Sequence, residues 1–179
     1  MREFMIICKK HFMYLIKNGY EIFIEKDTMV SYKKSKCEIQ IMFDSISCEI
    51  SSNFVWNNKK TFSLQDILDY VKIEGLRGIY QIKEKGQIEL GICYLEKAIE
   101  EVLNKIDISK EREFLRVYAY RLKTRERLLK EYYIKTALIK ADEYWDSKQF
   151  KKAEELYNKY FDWISETQKK RLNYIRNKF

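Results

Sequence analysis

Four short segments between residues 20 and 51 decide the fold: YEIFIEKD (20–27), TMVSYKK (28–34), CEIQIMF (37–43) and ISCEIS (46–51). Each one alternates β-branched or aromatic residues with polar residues, which is the pattern of a half-buried strand. The turns between them are too short for a parallel crossover, which needs a dozen or more residues. The segments therefore predict an antiparallel meander of three or four strands.

The residues before the meander predict an amphipathic helix that can cover its apolar face. Apolar side chains recur at helical spacing from residue 3 to residue 17, and Asn18-Gly19 supplies the signal that ends the helix. The apolar face comprises Phe4, Ile7, Cys8, Phe12 and Leu15.

The residues after the meander predict a second helix and then a boundary. A polar link at 57–60 precedes SLQDILDYVK, in which Ser63 is the expected N-cap and Asp66 stands three residues later. Three glycines then make 74–87 the least regular stretch of the chain, at Gly75, Gly78 and Gly86. We expect a domain boundary there.

From Ile88 onward every pattern is helical. The predicted helices cover 88–106, 110 to about 146, 150–164 and 168–178, and Ser165 has the capping-box spacing to Gln168. The predicted fold class is therefore α+β, with an N-terminal helix, the meander and an all-helical second half. We expect an α+β domain at 1–87 and a helical domain at 88–179, either independent or packed on the first as one unit.

Composition excludes several classes of protein. The 179 residues are 46% hydrophobic, without proline and with five glycines, which argues against disorder. No window is apolar for long enough to span a bilayer, and the N-terminus lacks a small-residue cleavage site, so we expect a cytoplasmic protein with no membrane partner.

The net charge is +1 over residues 1–106 (16 basic, 15 acidic) and +7 over residues 107–179 (19 basic, 12 acidic).

The candidate metal ligands are dispersed along the chain. The four cysteines have no CxxC spacing, and His11 is the single histidine, so no metal or cofactor site is predicted. We expect all four cysteines to pack as small hydrophobes in the core. They are Cys8, Cys37, Cys48 and Cys93.

The stretch ADEYWDSKQFKKAEELYNKYFDWIS (141–165) carries small and aromatic residues at helical-hairpin spacing. They are Ala141, Tyr144, Phe150, Ala153 and Tyr157. In this pattern the segment resembles one tetratricopeptide repeat, which implies two helices held close by alanines and flanked by aromatics. Ala137, Lys140 and Tyr160 depart from that pattern, and no second copy lies 34 residues upstream. The favoured interpretation is therefore a single helical hairpin and not a peptide-binding superhelix.

A basic stripe runs along the long helix predicted at 110–146. At about 100° per residue its five members fall within an arc of about 60°. They are Arg112, Arg116, Lys123, Arg127 and Lys130. The broadly opposite side carries Phe114, Tyr118, Leu122, Leu129 and Tyr132. Such a stripe serves either as a solvated face or as a binding surface for an acidic protein or for phosphates.

No catalytic motif is present in the sequence, so the leading hypothesis is a non-enzymatic interaction protein that binds an acidic protein partner through the basic stripe. In the order of its elements, residues 1–100 also resemble small α+β immunity proteins that bind bacterial toxins, which implies an immunity-type inhibitor. An RNA- or DNA-binding protein that uses the same basic helices is the alternative.

A third hypothesis is a metal-dependent nuclease. Asp27 followed by Glu38-Ile39-Gln40 resembles the Asp and Glu-x-Lys arrangement of a nuclease superfamily, although Gln40 replaces the lysine. We expect Glu38 and Gln40 to lie on the solvent face of the sheet.

Overall fold

The computed structural model describes residues 2–83 and 87–178, and it confirms the α+β class. Its elements are α1 (Arg2–His11), α2 (Met13–Lys17), β1 (Glu21–Lys26), β2 (Met29–Lys34), β3 (Cys37–Asp44), β4 (Glu49–Trp56), β5 (Lys60–Ser63), α3 (Leu64–Val71), β6 (Ile79–Gln81), α4 (Ile88–Lys105), α5 (Glu111–Asp146), α6 (Phe150–Lys159), a 3-10 turn (Phe161–Trp163) and α7 (Glu166–Lys178).

The chain divides into two compact units, Met1–Leu122 and Lys123–Phe179, which we call the first unit and the second unit. The division differs from the predicted boundary at residues 87 and 88. Leu95 and Ile99 of α4 share one buried core with Phe54 of β4, so α4 belongs with the sheet. Gly86, one of the three glycines of the predicted boundary, lies outside the described residues.

The sheet is larger than the three or four strands predicted. Strands β1 to β5 form an antiparallel meander in chain order, and β6 pairs with the first half of β4. Ile39 faces Phe54 across the β3–β4 pair, and both are fully buried. The short strands β5 and β6 went unpredicted because segments of three or four residues carry too little alternation to be recognised.

The fourth strand begins later than predicted, at Glu49 and not at Ile46. The Asp44 carboxylate accepts hydrogen bonds from the backbone N–H groups of Ile46 (2.8 Å) and Ser47 (3.3 Å), which stabilises a turn in place of a strand. Ile46 is 95% exposed as a result, and Cys48 has a φ of 54° and is also exposed.

The N-terminal helix is interrupted where one continuous helix was predicted. The break between α1 and α2 falls at Phe12, whose side chain is fully buried together with Phe4 and Leu15. The predicted stop is confirmed, because Asn18 is the C-cap of the second helix and Gly19 follows with a φ of 83°.

Helix α3 begins as the sequence predicts. The Ser63 hydroxyl accepts from the Asp66 N–H (3.3 Å), and the Asp66 carboxylate accepts from the Ser63 N–H (2.8 Å), which completes a capping box. Gly78 packs against this helix so closely that a Cβ there would lie 2.3 Å from the Gln65 nitrogen. A side chain at position 78 would therefore displace backbone.

The second unit is a helical hairpin followed by a third helix. Ala141 and Ala153 are fully buried in its core with Tyr157, as expected where two helices approach closely. The Ser165 hydroxyl accepts from the Gln168 N–H (3.3 Å), and the Gln168 side chain accepts from the Ser165 N–H (2.9 Å), so the predicted capping box is confirmed.

The four cysteines do not share one environment, contrary to prediction. Cys8 and Cys37 are buried, and burial raises the pKa of Cys37 to about 12. Cys48 and Cys93 are exposed.

None of the described helices combines the length and apolar character that crossing a bilayer requires.

Candidate partner-binding groove

All five residues of the predicted basic stripe are exposed on α5. Arg112 and Arg116 belong to the first unit, and Lys123, Arg127 and Lys130 belong to the second. The structure therefore divides the predicted stripe between two units.

Two members of the stripe are engaged by acidic neighbours on the same helix. Arg116 Nη1 donates to the Glu113 carboxylate at 2.9 Å, and Arg127 Nε lies 3.7 Å from a Glu131 oxygen. Exposed helical pairs of this kind contribute only about 0.3–0.5 kcal/mol, so they leave the arginines able to exchange partners.

The aromatic residues along α5 differ in exposure between the two units. Phe114 and Val117 are fully buried in the core under the sheet. Leu129, Tyr132 and Tyr133 are 45%, 64% and 65% exposed. Large apolar residues left uncovered side by side on a monomer commonly mark an interaction site.

Leu129 and Tyr133 form one wall of a groove of about 560 Å³ in the second unit. The opposite wall is the end of α6 with the 3-10 turn, where Phe161 and Trp163 are about half exposed. The full lining comprises Glu126, Leu129, Lys130, Tyr133, Ile134, Lys159, Tyr160, Phe161, Asp162 and Trp163. Lys130 is the member of the predicted stripe that lines it.

A smaller cavity of about 270 Å³ continues the groove along α5. It shares Ile134 and Trp163 with the larger cavity and extends to Leu138 and Ile139. From Leu129 to Ile139 the apolar surface covers about 15 Å of helix, or about three turns. This length and the paired walls suit an amphipathic helix laid into the groove.

A hydrogen-bond network centred on Asp142 holds the second unit together beside the smaller cavity. The Asp142 carboxylate accepts from the Tyr157 hydroxyl (2.6 Å), the Gln168 side chain (2.8 Å) and Arg171 Nη1 (2.7 Å). Burial, and then the hydrogen bond to Asp142, raise the pKa of Tyr157 to about 12. The network joins all three helices and fixes the groove wall that carries Trp163.

The charge around the groove is positive although its lining is balanced. Lys130 and Lys159 line the groove together with Glu126 and Asp162. The second unit as a whole has 15 basic and 9 acidic residues, a net charge of +6, whereas the first unit has 20 and 18, a net charge of +2. The field of the second unit therefore attracts an acidic ligand.

Sequence reasoning missed the aromatic wall of this groove. Residues 150–164 were predicted as one continuous helix, so Phe161 and Trp163 had no assigned role. The signal was present, because Tyr160, Phe161 and Trp163 crowd together just before the Ser165 cap of the next helix.

The two acidic residues of the nuclease hypothesis, Asp27 and Glu38, lie in different environments. Asp27 is exposed in the turn between β1 and β2. Glu38 is only 3% exposed and accepts from Gln40 Nε2 at 3.0 Å, so the prediction that it faces solvent is wrong. Among the described residues, neither carboxylate belongs to a group of three side chains able to hold a metal.

Comparison with protein-family models, with curated proteins and with solved structures finds no match to this chain. The second-unit groove is the candidate site on its geometry alone.

Proposed function

We propose that this chain is a non-enzymatic interaction protein that binds an acidic amphipathic helix of a protein partner in the second-unit groove. The observation that carries the proposal is the exposed aromatic groove beside Lys130. Its lining residues Tyr133 and Trp163 are of the types that dominate binding energy at interfaces. The positive charge of the second unit supplies the electrostatic complementarity.

The composition of the groove favours a protein over a nucleic acid. Glu126 and Asp162 line it, and carboxylates there repel a phosphate backbone. Grooves that follow single-stranded nucleic acid are positively charged along their length, with aromatics for stacking. The second unit offers the aromatics without an unbroken basic lining, so the nucleic-acid alternative is the less favoured one.

An immunity-type inhibitor is a narrower form of the same proposal. The resemblance of residues 1–100 to toxin-immunity proteins supports it. Arg112 and Arg116, in the first unit, stay predicted contributors to a partner surface.

A peptide-display selection tests the proposal. The library consists of helices of about 15 residues with apolar positions spaced i, i+4 and i+7 and random charged flanks. Selection on the immobilised full chain is run in parallel on wild type and on Trp163→Ala, with heparin present to remove non-specific polyanion binding.

We expect clones with acidic flanks to be enriched on wild type and to be lost on Trp163→Ala. Equal enrichment on both proteins would overturn the assignment of the groove, and enrichment of basic clones would overturn the acidic partner. Single-stranded RNA that binds wild type with a steep salt dependence and fails to bind Trp163→Ala, with no peptide enriched, would replace the proposal with the nucleic-acid alternative.

A further inference from the structure

Three metal-ligating side chains meet on the first unit, far from the groove in sequence. His11 is the last residue of α1, and Cys93 and Glu96 lie one turn apart on α4, which packs against α1. One ligand atom from each of the three lies within 4.8 Å of the other two. Among the described residues, this is the group found with the composition and proximity of a metal site.

We propose that His11, Cys93 and Glu96 bind a zinc-like divalent transition-metal ion. Imidazole nitrogen, thiolate sulfur and carboxylate oxygen are the donor types that proteins present to Zn²⁺. The inference is independent of the proposed function, because it concerns other residues in another unit.

The separations between the donors suit a tetrahedral ion. Ligand atoms on such an ion stand about 3.3–3.6 Å apart when each bond is about 2.0–2.3 Å long. His11 Nδ1 lies 2.7 Å from the nearer Glu96 oxygen, and the widest separation in the group does not exceed 4.8 Å. The required spacing falls between these values, so small side-chain rotations bring the three donors into place.

A second carboxylate supports the histidine from outside the group. His11 Nε2 lies 3.5 Å from Glu89 Oε1, and Lys10 lies 3.2 Å from the same oxygen. With Nδ1 on the metal, Nε2–H donates to Glu89, which is the usual outer-shell arrangement of a metal-bound histidine.

The site is accessible and anchored. Cys93 is exposed, so an ion can enter from solvent. The His11 side chain is only 16% exposed, and Cys8 and Phe12 on either side of it in the sequence are buried. Three protein ligands leave one tetrahedral position for water.

Zinc and cobalt titrations test the site on a tag-free full chain, since His11 is the single histidine of the protein. The chain is kept reduced with a phosphine, and Zn²⁺ affinity is measured by competition with a chromophoric chelator. Co²⁺ provides a second readout, because a cobalt–thiolate bond gives an intense near-ultraviolet charge-transfer band. The variants are Cys93→Ser and His11→Gln, and Cys48→Ser is the matched control at the other exposed cysteine.

We expect one equivalent of Zn²⁺ to bind wild type and Cys48→Ser equally. Cys93→Ser should abolish the cobalt band, and both ligand variants should weaken Zn²⁺ binding at least about 100-fold, since even outer-shell changes cost 10–100-fold. Equal binding by wild type and Cys93→Ser, or loss of the band in Cys48→Ser, would overturn the site. If His11→Gln does not fold, the exposed Cys93 variant and its band decide the question.

Discussion

The two parts of helix α5 place one amphipathic pattern in two different environments. In the first unit Phe114 is fully buried, with its ring centroid 4.4 Å from that of Phe62 and 5.1 Å from that of Trp56. In the second unit Tyr133, on the same helix, is 65% exposed over an open groove. Phe114 therefore packs in a core, whereas Tyr133 stays accessible to solvent.

The cores of the two units differ in the same way. The first unit buries a continuous cluster to which one face of the sheet and the helices α1 to α5 contribute, with the large side chains Phe4, Phe12, Tyr32, Phe54, Phe62 and Phe114 among its members. The second unit buries a short cluster around Ala141, Ala153 and Tyr157. The larger core therefore lies in the first unit, whereas the second unit carries the aromatic groove and the greater net positive charge.

The largest effect should come from truncating the first-unit core. Phe114→Ala removes a ring packed against two others, and such a change costs about 3–5 kcal/mol of unfolding free energy. Urea denaturation monitored by hydrogen exchange of the β3 amides measures it. Tyr133→Ala, on the exposed part of the same helix, is the control and should stay within about 0.5 kcal/mol. Similar losses in both variants would contradict the division of the helix.

A smaller effect is expected from overpacking the second unit. Ala153→Phe inserts a ring where α6 meets its neighbours, and overpacking of this kind costs about 1–3 kcal/mol. Hydrogen exchange should speed up in residues 141–178, while the sheet amides keep their protection. Lys151→Phe places the same ring on the exposed face of α6 as a control. An unchanged urea midpoint for Ala153→Phe would show that the hairpin is packed differently.

The smallest effect concerns alkaline pH. Folding raises the pKa of Tyr157 from its ordinary value of 10 to about 12. Because the folded state holds this proton more tightly, its contribution to stability is complete below pH 10 and is lost as the pH rises through 12. Phenolate formation is followed by ultraviolet absorbance as the pH is raised, in wild type and in Tyr157→Phe. The difference between the two titration curves reports Tyr157 and should have its midpoint near pH 12. A midpoint near 10 would show that the Asp142 network does not enclose the hydroxyl.

The features that could be predicted from the sequence are those set by local chemistry. The Ser63–Asp66 and Ser165–Gln168 caps depend on residues three apart, and short polar turns left antiparallel pairing as the one option for the meander. The delayed start of β4 was missed because the Asp44 side chain competes for the backbone donors that a strand would use.

The candidate sites depend on tertiary packing, which helical periodicity does not predict. The apolar stripe of α5 has the same pattern at Phe114 and at Tyr133, and only the fold decides which of them is covered. His11 and Cys93 lie more than eighty residues apart, and the packing of α1 on α4 brings them together. Spacing rules for metal motifs act within one segment and do not detect such a pair.

Paired phenylalanine substitutions test most directly the central claim that binding resides in the second unit. Phe161 lines the groove and is 49% exposed, and Phe23 on β1 of the first unit is 48% exposed, so the two rings match in type and exposure. Fluorescence anisotropy gives the Kd of a display-selected acidic helix for wild type, Phe161→Ala and Phe23→Ala. We predict that Phe161→Ala weakens binding about tenfold or more and that Phe23→Ala leaves it unchanged. Equal losses in the two variants, or a loss confined to Phe23→Ala, would contradict the account.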